Sequence, residues 1–334
     1  MTTDTLVVAS TATATISDAA ETDIAATVLS AIGAKTSGTV TATNAIDIAG
    51  TAAEVTAALV TADTLVVAGS ATVTISDNPS ITDLNAIAAK TSGVVTATLA
   101  ADSLSNLGAL STAGTDAITI TVNDAAEADV TAANLSTLGG KTAGTVTVSN
   151  AVDITGSASD LTAALVTTDT LVVASTATAN ISDAAETDIA ATVLSAIGAK
   201  TSGTVTATNA IDIAGTAAEV TAALVTADTL VVAGSATVTI SDNPSITDLN
   251  AIAAKTSGVV TATLAADSLS NLGALSTAGT DAITITVNDA AEADVTAANL
   301  STLGGKTAGT VTVSNAVDIA CLLYTSPSPR DLWI

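Results

Sequence analysis

Apolar and polar residues alternate with a period of two in several short segments of the chain. This alternation is typical of β-strands that bury one face. The pattern therefore predicts a series of short strands separated by polar turns. The apolar positions that define them are Val40 and Ala42, Ile46 and Ile48, Val73 and Ile75, Ile118, Ile120 and Val122, and Val146 and Val148.

After each group of strands the apolar spacing changes to three or four residues. This spacing predicts short helices with a narrow apolar stripe. The stripes consist of Val55, Ala58 and Leu59; Leu84 and Ile87; Leu104, Leu107 and Leu110; and Leu161, Ala164 and Leu165.

Recurring polar signals mark where these helices begin and end. A side-chain acceptor followed three residues later by an acid predicts an N-terminal capping box. Such pairs occur at Asp18 and Glu21, Thr51 and Glu54, Ser80 and Asp83, Asp124 and Glu127, and Ser157 and Asp160. Small residues with a nearby Lys predict helix ends. These predicted helix ends, which we call corners, span residues 33–38, 88–93 and 139–144.

The chain contains a large internal repeat. Residues 2–154 recur as residues 167–319 with one change, Thr15 to Asn180, so the repeat is 165 residues long. Each copy divides into strand–turn–short-helix units of about 27 residues, a period typical of stacked arrays. We therefore predict that residues 1–320 form a single α/β solenoid on a parallel sheet. A right-handed β-solenoid is the alternative.

Composition supports a stacked array. Apolar residues make up 48% of the chain, yet Phe and His are absent. Because Ala, Val, Ile and Leu bury little area per side chain, many small layers are needed to offset chain entropy. Cys321, Tyr324, Arg330 and Trp333 are the sole residues of their types and lie at the C-terminal end.

The net charge of −25 limits the partners of the chain. A surface this acidic cannot neutralise phosphates, which excludes nucleic acid. Polar residues interrupt every apolar run before it reaches the roughly 20 residues of a spanning helix, which predicts no membrane insertion. The absence of Cys from residues 1–320 fits a secreted protein.

Both ends of the chain depart from the repeat. The match stops after Ile319, and residues 321–331 read CLLYTSPSPRD, which resembles the translated read-through of a sequencing adapter. We therefore treat residues 321–334 as a non-native, disordered tail. Met1 stands where the second copy has Val166, so we expect the native array to continue before Met1, with any secretion signal and flanking domains outside this sequence.

Few residues offer catalytic chemistry. Without His or a native Cys, the usual general base, thiol nucleophile and imidazole ligand are missing, so we predict no enzyme activity and no bound cofactor. The Gly-Lys-Thr corner at Lys141 is not a phosphate loop, because Leu135 stands where the first Gly is needed and the motif follows a helix.

Aspartates recur at strand ends and turn entries. Stacking would align Asp18, Asp77 and Asp124 into oxygen-rich columns, which are weak candidates for Ca²⁺ ligands. Asp63, Asp116 and Asp169 lie at turn entries. The alternative is that these residues only cap helices and form turns.

Threonines alternate with the buried strand residues and are predicted to face outward. Stacking would form a ladder of hydroxyl and methyl groups that resembles the Thr-x-Thr ranks of β-solenoid ice-binding proteins and could also meet polysaccharide. Threonine also favours exposed strand positions because it is β-branched. The candidates are Thr39, Thr41, Thr43, Thr72, Thr74, Thr96, Thr98, Thr119, Thr121, Thr145 and Thr147.

The repeat style of residues 1–320, rich in Ala, Thr, Val and Asp, resembles the repeat regions of giant bacterial secreted adhesins and haemolysin-like surface proteins. The resemblance implies an extracellular or cell-surface spacer, or an adhesion region that meets glycan or associates with itself. Near-identical copies fit a modular array whose length can change. A ligand-binding threonine ladder and calcium-dependent folding remain the two alternatives.

Overall fold

A computed structural model describes residues 9–170 and 172–320. The chain divides into two units: residues 1–179 with 200–203 form unit 1, and residues 180–199 with 204–334 form unit 2. Met1 and the tail at residues 321–334 lie outside the described residues.

Short strands recur along both units. Those of unit 1 are β1 (Ala14–Ile16), β2 (Asp23–Ala25), β3 (Val40–Ala42), β4 (Asp47–Gly50), β5 (Val66–Val67), β6 (Thr72–Ile75), β7 (Val95–Thr98), β8 (Ala117–Val122), β9 (Asp129–Thr131), β10 (Val146–Val148), β11 (Asp153–Gly156) and β12 (Val172–Val173). Strand β13 (Thr178–Ile181) crosses the boundary. Those of unit 2 are β14 (Asp188–Ala190), β15 (Val205–Ala207), β16 (Asp212–Gly215), β17 (Val231–Val232), β18 (Thr237–Ile240), β19 (Val260–Thr263), β20 (Ala282–Val287), β21 (Asp294–Thr296), β22 (Val311–Val313) and β23 (Asp318–Ala320).

Short helices alternate with the strands along the chain. Unit 1 contains α1 (Ala26–Gly33), α2 (Ala52–Leu59), α3 (Ile81–Ala88), α4 (Leu104–Leu107), α5 (Ala132–Gly139) and α6 (Ala158–Leu165). Unit 2 contains α7 (Ala191–Gly198), α8 (Ala217–Leu224), α9 (Ile246–Ala253), α10 (Leu269–Leu272) and α11 (Ala297–Gly304). Short 3₁₀ turns span Ala62–Thr64, Thr168–Thr170 and Ala227–Thr229.

We call each strand–turn–helix unit of the array a coil. The strands of successive coils pair in parallel. In unit 1 one sheet has the order β1-β3-β5, a second has the order β2-β4-β6-β7-β8-β10-β12, and β9 pairs with β11. In unit 2 one sheet has the order β14-β16-β18-β19-β20-β22, β15 pairs with β17, and β21 pairs with β23. Successive helices pack against each other, as α1 does on α2 and α7 on α8. The predicted α/β solenoid is confirmed.

In the described part of the chain, the buried hydrophobic residues are all Ala, Val, Ile or Leu. Inward strand positions such as Ile48, Val73 and Ile118 are at most 1% exposed, as are the helix residues Leu84 and Leu135. Because the inward residues of neighbouring strands lie in register, with Ile48 opposite Val73, each coil buries its apolar face against the next.

Three of the predicted helix starts are confirmed. The hydroxyls of Thr51, Ser80 and Ser157 accept the N–H of the residue three positions later. At Thr51 the box is reciprocal, since the Thr51 N–H also donates to Glu54 Oε2 at 2.8 Å. These caps satisfy backbone groups that the first helical turn leaves unpaired.

The helix starts predicted at Asp18 and Asp124 are wrong. Glu21 and Glu127 adopt a φ of 63°, which bends the chain between two strands instead of starting a helix. The Glu21 N–H donates to the Ala45 carbonyl of the next coil at 2.8 Å, which holds this turn in place. Helix α1 begins later, after β2.

The predicted helix ends at Gly33, Ala88 and Gly139 are confirmed, but the glycines serve a different purpose from the expected one. The residue after Gly33 is in the right-handed region, with a φ of −66°, so no left-handed cap is formed. A Cβ atom on Gly33 would lie 2.2 Å from the Thr64 carbonyl oxygen. Glycine is therefore required here because the backbone of the next coil passes too close for a side chain.

Candidate functional site

Two of the three calcium candidates cap helices of the preceding coil. The Ala52 N–H at the start of α2 donates to Asp77 Oδ1 at 2.7 Å, and the Leu104 N–H at the start of α4 donates to Asp124 Oδ2 at 2.7 Å. Their counterparts Asp242 and Asp289 accept the equivalent N–H groups in unit 2. A carboxylate at a helix N-terminus is also favoured by the helix dipole.

The structure does not bring the three calcium candidates together. The backbone oxygen of Asp18 accepts a hydrogen bond from Asn44 Nδ2 at 2.6 Å, on a different coil from Asp77 and Asp124. Within residues 9–170 and 172–320, no group of three or more His, Cys, Asp or Glu side chains is placed to hold a metal ion. The candidate residues are thus separate turn and cap positions.

Aspartates also face each other at the starts of neighbouring strands. Asp23 lies opposite Asp47, and Asp129 lies opposite Asp153. Like charges directly opposite destabilise a sheet. Threonine hydroxyls of the following coil offset this, since Thr72 donates to Asp47 and Thr178 donates to Asp153.

Asp116 is a buried structural residue whose importance the sequence did not reveal. It is 4% exposed, and its carboxylate accepts the Val95 N–H at 2.8 Å and the Ala113 N–H at 2.9 Å. The Thr142 hydroxyl of the following coil donates to the Asp116 carbonyl at 2.9 Å. The sequence indicates only a turn entry, because two of the partners, Val95 and Thr142, lie 21 and 26 residues away.

The carboxylate of Asp102 lies beside the N-terminus of α4 and has a lowered pKa. The Asn106 side-chain amide, and then the Ser103 N–H, lower the pKa of Asp102 by donating to its charged form. Both donors belong to the first turn of α4 or its cap, so this carboxylate serves local capping.

Lys141 and its counterpart Lys306 link different coils. Lys141 Nζ donates to the Gly108 carbonyl at 2.9 Å, and Gly108 is the C-cap of α4. In unit 2, Lys306 Nζ donates to the Gly273 carbonyl at 2.8 Å. A cation at the C-terminus of a helix complements its dipole. Lys141 therefore stabilises the C-terminal end of α4, a helix of an earlier coil, and not the end of its own helix.

The predicted threonine face divides by exposure. Four of the candidates, Thr41, Thr72, Thr121 and Thr147, are half-buried. The exposed ones are Thr39, Thr43, Thr74, Thr96, Thr98, Thr119 and Thr145.

Some of the candidate threonines lie opposite each other on neighbouring strands, but the rows that they form across the sheet are short. Thr74 lies opposite Thr96, Thr98 opposite Thr119, and Thr121 opposite Thr147. Beyond these pairs the rows continue with Ala49, Ala117 or Val173. These three pairs lie on β6, β7, β8 and β10, and the residues that flank them interrupt a continuous ladder of hydroxyls.

Open grooves lie at the glycine corners of unit 1. One, of about 760 Å³, is lined in part by Gly139, Gly144 and Val173. Another, of about 500 Å³, is lined in part by Gly33 and includes Asp63 as its single ionisable lining residue. Among the described lining residues, the two grooves together carry one carboxylate and no basic side chain.

Comparison with known proteins gave no relative. No family model matches the chain, and neither a curated protein nor a solved structure matches it. In the described part of the chain, no helix has the length and apolar character needed to cross a membrane.

We expect Asp77→Ala to lower the free energy of unfolding by about 1 kcal/mol, because the first N–H of α2 loses its acceptor. Urea denaturation followed by circular dichroism measures this loss. Asp63→Ala is the matched control, since it removes the same charge from an exposed turn. Equal stabilities of the two variants would contradict the capping role.

Proposed function

We propose that this chain is a structural spacer or adhesion repeat region of a large extracellular bacterial surface protein, without catalytic activity. The observation that carries this proposal is the use of polar turn residues in contacts between coils. The Asp77 carboxylate accepts the first N–H of α2, and Lys141 donates to a carbonyl at the C-terminal end of α4. The Asp116 carboxylate accepts an N–H from β7. Side chains committed to neighbouring coils hold an array together and leave little chemistry for a substrate.

The repetition of these contacts supports the same function. Asp242, Lys306 and Asp281 make the equivalent contacts in unit 2. An array whose coils contact mainly their neighbours can gain or lose copies without changing the rest. The net charge of −25 favours solubility and repulsion between neighbouring molecules on a surface.

Surface display tests the spacer function. A peptide tag is displayed on bacterial cells beyond none, one or two copies of the 165-residue repeat, and its accessibility to antibody-coated beads is measured. We expect accessibility to rise with each copy and to exceed that given by a flexible Gly/Ser linker of equal residue number. Accessibility that does not depend on copy number would refute the spacer function.

The spacer proposal and calcium-dependent folding predict different results for the chain in solution without metal. Because Asp77 and Asp124 already accept backbone N–H groups, we expect the full chain to fold without metal. Thermal unfolding followed by circular dichroism should show the same mixed α/β spectrum and midpoint in calcium and in chelator. A folded spectrum that forms only with calcium would make the acidic turns functional sites.

The exposed threonines support ligand binding as a second candidate function. The in-register pairs Thr74–Thr96 and Thr98–Thr119 place hydroxyls and methyls side by side on one sheet face. We expect lysine at both Thr96 and Thr119 to abolish retention on insoluble polysaccharide, or thermal hysteresis if the ligand is ice. Thr27→Lys, on the exposed side of α1, is the control. No binding by the unmodified chain would remove this candidate.

A further inference from the structure

Five neighbouring strands of unit 1 share an outer face without charged residues. Strands β6, β7, β8, β10 and β12 pair in this order within one sheet. Their inward residues are buried, and the residues that alternate with these lie on the solvent side of the sheet. We call the outward residues on or directly before these strands the neutral face. They are Thr72, Thr74, Val94, Thr96, Thr98, Ala117, Thr119, Thr121, Thr145, Thr147 and Val173.

The neutral face differs from the rest of this acidic chain. The chain contains 32 acidic residues and has a net charge of −25, yet the described outward positions of these five strands hold neither an acid nor a base. Charge returns on the next strand, β4, where Asp47 accepts a hydrogen bond from Thr72. Asp116 lies directly before β8 but is 4% exposed, so it adds little charge to the surface.

The neutral face also exposes apolar side chains. Val94 is 40% exposed and Val173 is 44% exposed. Thr74, Thr96 and Thr119 are exposed beside them and present methyl groups as well as hydroxyls. Apolar groups that are exposed together on one surface are typical of a protein–protein contact. Lack of charge and exposed methyl groups thus both indicate a contact surface.

The second copy of the repeat carries the same face in unit 2. Strands β18, β19 and β20 are neighbours in one sheet, and Val259 is 39% exposed before β19. Each unit therefore has a neutral face of its own. The outward residues in unit 2 are Thr237, Thr239, Val259, Thr261, Thr263, Ala282, Thr284 and Thr286.

We propose that the neutral face binds the neutral face of a second copy of this chain. This inference rests on the proposed adhesion function, because it assigns self-association of the array to one surface. Contact through this face brings no carboxylates together, whereas contact through β2 and β4 would oppose Asp23 and Asp47 to their counterparts. Because both copies use the same surface, the contact is isologous. Sheets packed in this way lie about 10 Å apart with interdigitated side chains.

The size of the neutral face predicts that one pair of faces binds weakly. Five strands about 4.8 Å apart, with outward residues spread over about 20 Å along the strands, cover roughly 400 Å² per partner. Stable complexes bury about 800 Å² per partner. We therefore expect firm association where many repeats are displayed together, since linked weak contacts reinforce each other.

Clustering of protein-coated beads tests this contact. The full chain is attached densely to polystyrene beads through a terminal peptide tag, and clustering is measured by light scattering. We expect coated beads to cluster, and to cluster more at higher ionic strength, because salt screens the net charge of −25. Coated beads that stay apart at every salt concentration would overturn the proposal, while the tag-accessibility experiment would still decide the spacer function separately.

Charges placed on the neutral face test where the copies meet. The face variant carries Thr96→Glu, Thr119→Glu, Thr261→Glu and Thr284→Glu. We expect it to lose clustering at least tenfold, because each face then repels its partner. The matched control carries the same change at exposed positions in the first turns of α1, α3, α7 and α9, namely Thr27, Thr82, Thr192 and Thr247. The control should keep more than half of the clustering, and equal losses in both variants would contradict the proposal.

Removal of apolar groups provides a second test, which holds if far-UV circular dichroism shows that the glutamate variant unfolds. Val94→Ser and Val259→Ser together remove exposed methyl groups from both faces without adding charge. We expect clustering to fall severalfold with an unchanged spectrum. Clustering that does not fall would mean that the copies meet elsewhere. Clustering that appears only after a soluble polysaccharide is added would show that glycan occupies the face, and self-association would then be wrong.

Discussion

Gly93→Ala is expected to lower the free energy of unfolding by about 3 kcal/mol, although it adds a single methyl group. A Cβ atom on Gly93 would lie 2.2 Å from the carbonyl oxygen and 2.6 Å from the carbonyl carbon of Ala71. Both atoms belong to the backbone of the preceding coil, so the overlap cannot be relieved by a side-chain rotation. The two coils must separate, which weakens the pairing of β6 and β7.

Gly69→Ala is the matched control for this prediction. A Cβ atom on Gly69 meets nothing within 4 Å, so the same substitution is expected to leave stability nearly unchanged. Gly258→Ala should reproduce the loss in unit 2, since its Cβ would lie 2.2 Å from the Ala236 carbonyl oxygen. Urea denaturation of the three variants measures the differences. Equal stabilities of the Gly93 and Gly69 variants would show that the coils are not packed as described.

Asp116→Ala is expected to destabilise the fold by about 3 kcal/mol, because a buried N–H group and a partly buried N–H group both lose their acceptor. These groups belong to Val95, at the start of β7, and to Ala113, in the turn before β8. Removing an acceptor from a buried donor costs more than breaking an exposed hydrogen bond, since water cannot replace it. The same loss is expected for Asp281→Ala in unit 2.

Asp116→Asn provides a graded test of the same contact. Its amide oxygen can accept one of the two N–H groups, while its NH₂ group faces the other donor. We expect its stability, measured by urea denaturation, to lie between those of the unmodified chain and Asp116→Ala. If the alanine variant matched the unmodified chain, the carboxylate would not be the link between these coils.

The sequence predicted those features of the fold that depend on local spacing. The alternation at Val73 and Ile75 indicated β6, and the spacing of Leu84 and Ile87 indicated α3, because burial on one face repeats with the period of the element. Caps at Thr51 and Ser80 could be identified because their partners lie three residues away.

Features that depend on the neighbouring coil could not be predicted in this way. Asp18 with Glu21 has the spacing of a capping box, yet Glu21 bonds to Ala45 of the next coil and adopts a left-handed turn. The predicted helix through Leu110 ends at Leu107. Leu110 remains buried, so its apolar spacing reflects packing of the following turn and not helical structure.

The exposed threonine face could be predicted only in part from the sequence. Exposure of Thr96 and Thr119 follows from strand alternation, but the register between strands decides which threonines meet. A shift of one residue would exchange the two faces of a strand. The sequence alone thus predicted a hydroxyl face but not that Ala49, Ala117 and Val173 interrupt it.

Hydrogen exchange of the full chain in chelator tests most directly that the two copies form the same stacked coils without metal. We predict slow exchange for the amides of β4, β6 and β8, with matching rates for β16, β18 and β20 in the second copy, because each of these strands is paired on both sides. Fast exchange throughout both copies in chelator, whether or not calcium later slows it, would contradict this prediction.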